Sequence, residues 1–142
     1  MLLYCPPLFN VEFEIDTADK TFNDALAYYR EQDFDQSRDL CTQSMQKDPY
    51  NARPYHLLGI IFKDLAEYTS AREFIQTSLS LDPENTMYKS NMGAIDILCD
   101  YYQEAKQILQ EIIEHDLTNL NAHINLGIVS INEQQWYQAA VY

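Results

Sequence analysis

The sequence predicts an all-α fold built as a stack of antiparallel helix pairs. Two observations carry that expectation. Chemically similar residues recur every 34 positions along most of the chain, and between recurrences the apolar residues follow the helical period of about 3.6. Composition agrees. Of 142 residues, 46% are hydrophobic and 22% charged, which is globular usage, and three glycines with five prolines weigh against a turn-rich β fold.

The recurrence is read in columns. Asp48-Pro49 and Asp82-Pro83 stand 34 apart (82−48), and Asp116-Leu117 follows after another 34. Asn51, Asn85 and Asn119 keep the step. A small column runs Ala25, Gly59, Gly93, Gly127; a second runs Ser37, Ala71, Ala105, Ala139. An aromatic column runs Phe34, Tyr68, Tyr102, Trp136. The copies are therefore 18–51, 52–85 and 86–119, with a partial copy at 120–142. First helices are expected near 18–31, 52–65, 86–99 and 120–133. Second helices are expected near 34–47, 68–81 and 102–115, with an incomplete one from about 136.

Each column has a physical cause. Small residues on both helices of a pair let them approach closely. The aromatic fills the wedge where one pair meets the next. The Asp-Pro-x-Asn step ends the second helix, because Pro cannot continue it and biases its predecessor away from helix. One pair cannot bury its apolar face alone, so neighbours must stack.

The two ends depart from this scheme. Residues 1–17 are expected to form an extended N-terminal cap or arm, because Phe9 to Ile15 alternate apolar and polar at a strand period. Packing along the first helix pair, pairing across a dimer and lying in the chain's own groove are the open alternatives. Asp16 or Thr17 is the expected N-cap of the first helix. At the other end the fourth copy stops at Tyr142, within its second helix. A solenoid normally closes with a polar capping helix, so the chain is expected to be the front of a longer protein, with an oligomer interface as the alternative.

On these columns the chain resembles the tetratricopeptide repeat (TPR) family, over residues 18–142. The second copy matches best, through Tyr55, Leu58, Gly59, Phe62, Tyr68, Ala71 and Pro83; the first departs most, at Thr21, Asp24 and Ser37. The resemblance implies a right-handed superhelix whose first helices line a concave, partner-binding face. The inward columns place Phe22, Leu26 and Tyr29, then His56, Ile60 and Lys63, then Ala94 and Ile97, then Ile124 and Ile128 in that groove, with Met87 beside them. Asn23, Asn91 and Asn125 occupy one further inward column, interrupted by Leu57. A carboxamide both donates and accepts, so it grips a peptide backbone without reading its sequence. That column is similar to the asparagine ladder of the O-GlcNAc transferase repeats. The clamp with which other TPR proteins hold chaperone tails needs cations, and those places hold Phe22, Leu26, Leu57, Met87 and Asn91. Binding of heat-shock chaperone tails is therefore not expected.

Charge and chemistry narrow the function. Nine basic against 22 acidic residues give a net charge of −13. Such a chain repels phosphate backbones and anionic membranes, so neither nucleic acid nor a membrane is an expected partner. Cys5, Cys41 and Cys99 form no metal or disulfide pattern. With no secretory signal or membrane-length apolar run, they suggest a cytoplasmic protein. No phosphate loop or nucleophile elbow is present, and His56, His115 and His123 lie in different copies. The chain is expected to be a non-enzymatic interaction scaffold, without cofactor or metal, that binds an apolar or amphipathic peptide segment of another protein. Three alternatives stand beside it: the substrate-presenting arm of a larger glycosyltransferase, a stand-alone secretion chaperone, and a homo-oligomer closing through the Trp136–Tyr142 surface.

Overall fold

A computed structural model describes the backbone of residues 7–141 and the side chains of residues 18–141. Seven helices follow one another: α1 Pro7–Arg30, α2 Phe34–Lys47, α3 Ala52–Asp64, α4 Tyr68–Leu81, α5 Thr86–Leu98, α6 Tyr102–His115 and α7 Leu120–Val141. From α2 to α6 each lies where the sequence places it. There is no strand among the described residues.

The Asp-Pro-x-Asn step does two jobs. Asp48, Asp82 and Asp116 terminate α2, α4 and α6, their N–H groups donating to Ser44, Ser78 and Ile112. The asparagine three residues on then caps the next first helix. Asn51 Oδ1 accepts from Arg53 N at 3.1 Å, Asn85 from Tyr88 N at 3.2 Å and Asn119 from Ala122 N at 3.0 Å. Each satisfies a helix-start donor that has no partner within the helix.

The corner within each pair is a different device. Gln32, Ala66 and Asp100 sit at φ 62°, 60° and 64°. The next N–H reaches back five residues, from Asp33 to Tyr28 O, Glu67 to Phe62 O and Tyr101 to Asp96 O, at 2.8–3.0 Å. This is the left-handed helix stop usually made by glycine, here made by residues that carry a Cβ.

The core is divided as stacking requires, one apolar cluster per joint. Phe22, Ala25, Cys41, Leu57, Leu58 and Ile61 join the first two copies. Ala71, Ile75, Met92 and Ile95 join the second and third. Ala105, Leu109, Ile112, Ala122 and Val129 join the third and fourth. Each fully buried side chain of Leu or Ile size contributes about 1.5–3 kcal/mol. The small columns act as expected in the first three copies. A methyl on Gly59 would run into Ile75, and one on Gly93 would lie 2.9 Å from Leu109 Cδ2. Ser37 keeps its place among the small residues because its buried Oγ donates to Ala25 O at 2.8 Å. Thr21, buried in α1, receives Lys47 Nζ at 2.8 Å.

Two expectations are corrected. Residues 7–17 are helical, continuous with the first helix, rather than an extended arm; residues 1–6 lie outside the described residues. The alternation that reads as a strand also contains the four-residue spacing of a helix, in Phe9/Phe13 and Val11/Ile15. Pro7 suits a first helical position, where no N–H is needed, and no glycine or proline breaks the chain from there to Arg30. Asp16 and Thr17 accordingly lie inside α1 instead of capping it. The fourth copy is also not a pair. α7 runs straight through the corner position, Gln134, to Val141.

Candidate functional site

The helices α1, α3, α5 and α7 carry the residues expected in the groove, and the two halves of that face differ. Between α1 and α3 polar pairs close the surface. Asp19 pairs with Arg53. The Arg53 guanidinium lies 4.8 Å from the centre of the Phe22 ring. Tyr29 Oη donates to Asp64 Oδ2 at 2.7 Å, and burial together with that carboxylate pushes the phenol up to about 12. Phe22 is only 5% exposed and belongs to the first core cluster. It is thus a core residue and not a groove residue. Its helix position faces the joint, where Leu57, Leu58 and Ile61 surround it. Leu26 and Tyr29 pack half-buried against the same cluster, while Asn23 is exposed.

Between α3 and α5 the closure is a single polar contact. Asn91 Nδ2 donates to His56 Nε2 at 2.8 Å, and the imidazole stacks on Tyr88 with centres 4.4 Å apart. Burial, with Lys63 nearby, pushes the His56 ring down to about 4. Neutral imidazole is the form that accepts the Asn91 hydrogen bond. Asn91 is therefore engaged within the protein, and Leu57, the break in the asparagine column, is buried in the core. Ile60 packs half-buried on the second cluster, and Lys63 is half-buried.

From α5 to α7 the face changes character. Met87 is 57% exposed, Ile124 52% and Ile128 40%. Ala94, Ile97 and Asn125 are half-buried among them, and Ile97 rests on the third cluster. Ile131 adds a further exposed aliphatic at 59%. The expected groove residues thus divide. Met87, Ile124 and Ile128 are exposed, with Ala94, Ile97 and Asn125 half-buried. Tyr29, His56 and Asn91 stitch the other half together.

A further basic column, Arg38, Arg72 and Lys106, keeps the 34-residue step, and its role becomes visible only once neighbouring copies pack. Each base reaches the first helix or corner of the next copy. Arg38 lies 4.9 Å over Phe62, and Lys106 Nζ is 3.6 Å from Glu133. Arg72 is the strongest case, with Nε 2.6 Å from the buried Asp96 carboxylate and the guanidinium 4.4 Å over Tyr101. Burial pushes the Asp96 carboxyl up, and the Arg72 contact opposes that rise.

No three His, Cys, Asp or Glu side chains converge on a metal-sized site among the described residues. Cys41 is buried and its thiol pushed up to about 12 by burial. Cys99 is half-buried at the end of α5. No described helix is long and apolar enough to cross a membrane.

Residues 52–85 match the tetratricopeptide repeat family, one full copy in the frame read from the sequence. Solved structures extend the likeness to the whole stack. The first TPR of Spaghetti (RPAP3), bound to the HSP90 peptide SRMEEVD, superimposes with a TM-score of 0.77 at 21% identity, covering 82% of this chain and 93% of that one. Pseudomonas aeruginosa pilF gives 0.74 at 26% identity over 88% of this chain and 58% of the other. The O-GlcNAc transferase of Thermobaculum terrenum, as its K341M mutant, gives 0.72 at 22% identity over 82% of this chain and 22% of that one. A search of curated proteins found no match. The fold is therefore the TPR solenoid of helix pairs, and residues 52–85 form a tetratricopeptide repeat.

Proposed function

We propose that this chain is a non-catalytic interaction scaffold that seats a peptide segment of another protein against α5 and α7. One observation carries the reading: Met87, Ile124 and Ile128, on α5 and α7, stand exposed in a strongly acidic chain. An accessible apolar surface of this kind favours aliphatic anchors, and Asn125 beside it offers both a donor and an acceptor to a peptide backbone. Three anchors at about 1.5–3 kcal/mol each, less ordering costs, correspond to roughly micromolar affinity.

The similarity to a TPR with a chaperone peptide supports a peptide ligand, but the cations for an acidic tail are few. The inward positions hold Arg30, Arg53 and Lys63, and Arg53 is already paired with Asp19. The substrate-arm reading has less support, because Leu57 is buried and Asn91 is held by His56. A cytoplasmic location is proposed with the scaffold reading, on the thiol Cys41 enclosed in the core.

The test is selection of binders from a displayed random-peptide library, with the peptide SRMEEVD as a second probe. Selected peptides should be rich in aliphatic residues and lose at least about tenfold in affinity on Ile97→Glu or Ile128→Glu. SRMEEVD should not bind measurably. Selected binders indifferent to both substitutions would refute the concave site.

A further inference from the structure

Inside this protein each buried helix-pair glycine is covered by a large aliphatic side chain, Gly59 by Ile75 and Gly93 by Leu109. Gly127 continues the column and meets nothing within 4 Å. Around it, α7 presents Leu120, Ile124 and Ile131, all more than half exposed. With about 3.6 residues per turn, positions 120, 124, 127 and 131 fall on one stripe of the helix. Ala122 and Val129, on the opposite side, are buried against α6. The stripe reads the same in both directions about the point between Asn125 and Leu126: 120 pairs with 131, and 124 with 127.

Charge decides what can lie on it. From Leu117 to Asn132 there is no Asp, Glu, Lys or Arg, sixteen residues in a chain of net charge −13. Two copies repel wherever their acidic faces meet and do not repel here. A two-fold contact must place the same patch on both partners, and this stripe complements itself.

We infer that a second copy of this chain covers the stripe. The two α7 helices cross antiparallel about a two-fold axis, Ile124 of each copy seated over Gly127 of the other and Leu120 against Ile131. Gly127 allows the close approach, as Gly59 and Gly93 do inside the fold. The stripe shares Ile124 and Ile131 with the open half of the groove, so pairing narrows the α7 edge and leaves Met87, Ala94 and Ile97 facing the concave side.

The experiment is sedimentation equilibrium on the 142-residue chain over about 1–300 μM. The expected result is a rise from 16.6 kDa towards twice that mass. Gly127→Arg, a side chain placed in open space, should weaken the pair at least about thirtyfold with unchanged helical circular dichroism. Leu120→Lys serves as a second disrupting variant. Register is read by oxidative cross-linking: an equal mixture of Ile124→Cys and Gly127→Cys chains should give a covalent dimer that neither gives alone. Ile97→Glu should leave the mass unchanged, so that loss of the pair and loss of peptide binding are told apart. A monomer at every concentration overturns the inference and assigns the stripe to a different protein. So does a dimer that survives Gly127→Arg and Leu120→Lys, or one that cross-links in neither mixture.

Discussion

The second and third copies and the fourth share the same columns but not the same structure. In copies two and three, Gly59 and Gly93 are pressed by the returning helix, Ala71 and Ala105 are fully buried, and the corners at Ala66 and Asp100 turn through positive φ. In copy four, Gly127 is open, Trp136 is 68% exposed, Ala139 is exposed, and Gln134 continues the helix. A left-handed corner at a residue with a Cβ costs about 1–2 kcal/mol. In the closed copies that cost is offset when fourteen-residue helices such as α4 and α6 pack back. Residues 135–141 are all exposed and offset little of it, and the chain keeps its helical hydrogen bonds and runs straight. The turn of a TPR pair is thus a consequence of packing as much as of local sequence.

The largest contrast is expected at the joints. Asp96→Ala removes the buried partner of the partly exposed Arg72 and should cost about 1–3 kcal/mol. Glu133→Ala, which removes the exposed Lys106 contact of the next joint, should cost less than about 1 kcal/mol. Chemical denaturation of both variants measures the difference, and equal losses would contradict the contrast.

The glycines come next. Gly59→Ala should destabilise by about 1–3 kcal/mol, because Ile75 and the Ala71 carbonyl leave no room. Gly127→Ala, in open helix, should stabilise the monomer by up to about 1 kcal/mol when melted at a dilution where the chain does not pair. Thermal melting reads both, and a shift of the same sign would remove the distinction between closed and open copies.

The joint between copies two and three should also respond to acid. The ordinary histidine pKa near 6.5 falls to about 4 for His56 in the fold, so protonation favours the unfolded chain. The stabilisation is complete above about pH 6.5 and is lost as the pH falls towards 4. For a half-buried ring in partial contact with solvent we expect about 1–2 kcal/mol. His56→Gln should flatten that part of a stability–pH curve.

The smallest test exchanges corner residues. Asp100→Gly relieves a left-handed Cβ and should stabilise by up to about 1 kcal/mol. Gln134→Gly places the same residue inside a helix and should cost about 1 kcal/mol of helix stability. Amide hydrogen exchange across α7 would locate the second effect.

The 34-residue columns alone determined the helix order, five of seven helix spans and the small-residue contacts, because spacing and side-chain size are properties of sequence. They also predicted a groove face holding Met87, Ala94, Ile97, Ile124, Asn125 and Ile128, of which Met87, Ile124 and Ile128 are exposed and the others half-buried. Sequence periodicity did not distinguish strand from helix over Phe9–Ile15, because a two-residue alternation contains the four-residue helical spacing. Nor did it show that Phe22 faces the joint, that Asn91 is taken by His56, or that Arg72 reaches a buried Asp96. Those outcomes depend on how far one copy rotates against the next, and that angle is set by side chains from both copies packing at once. The same holds for Gln134. Whether a corner turns is decided by what the following helix can bury, a long-range quantity that no local stretch of sequence contains.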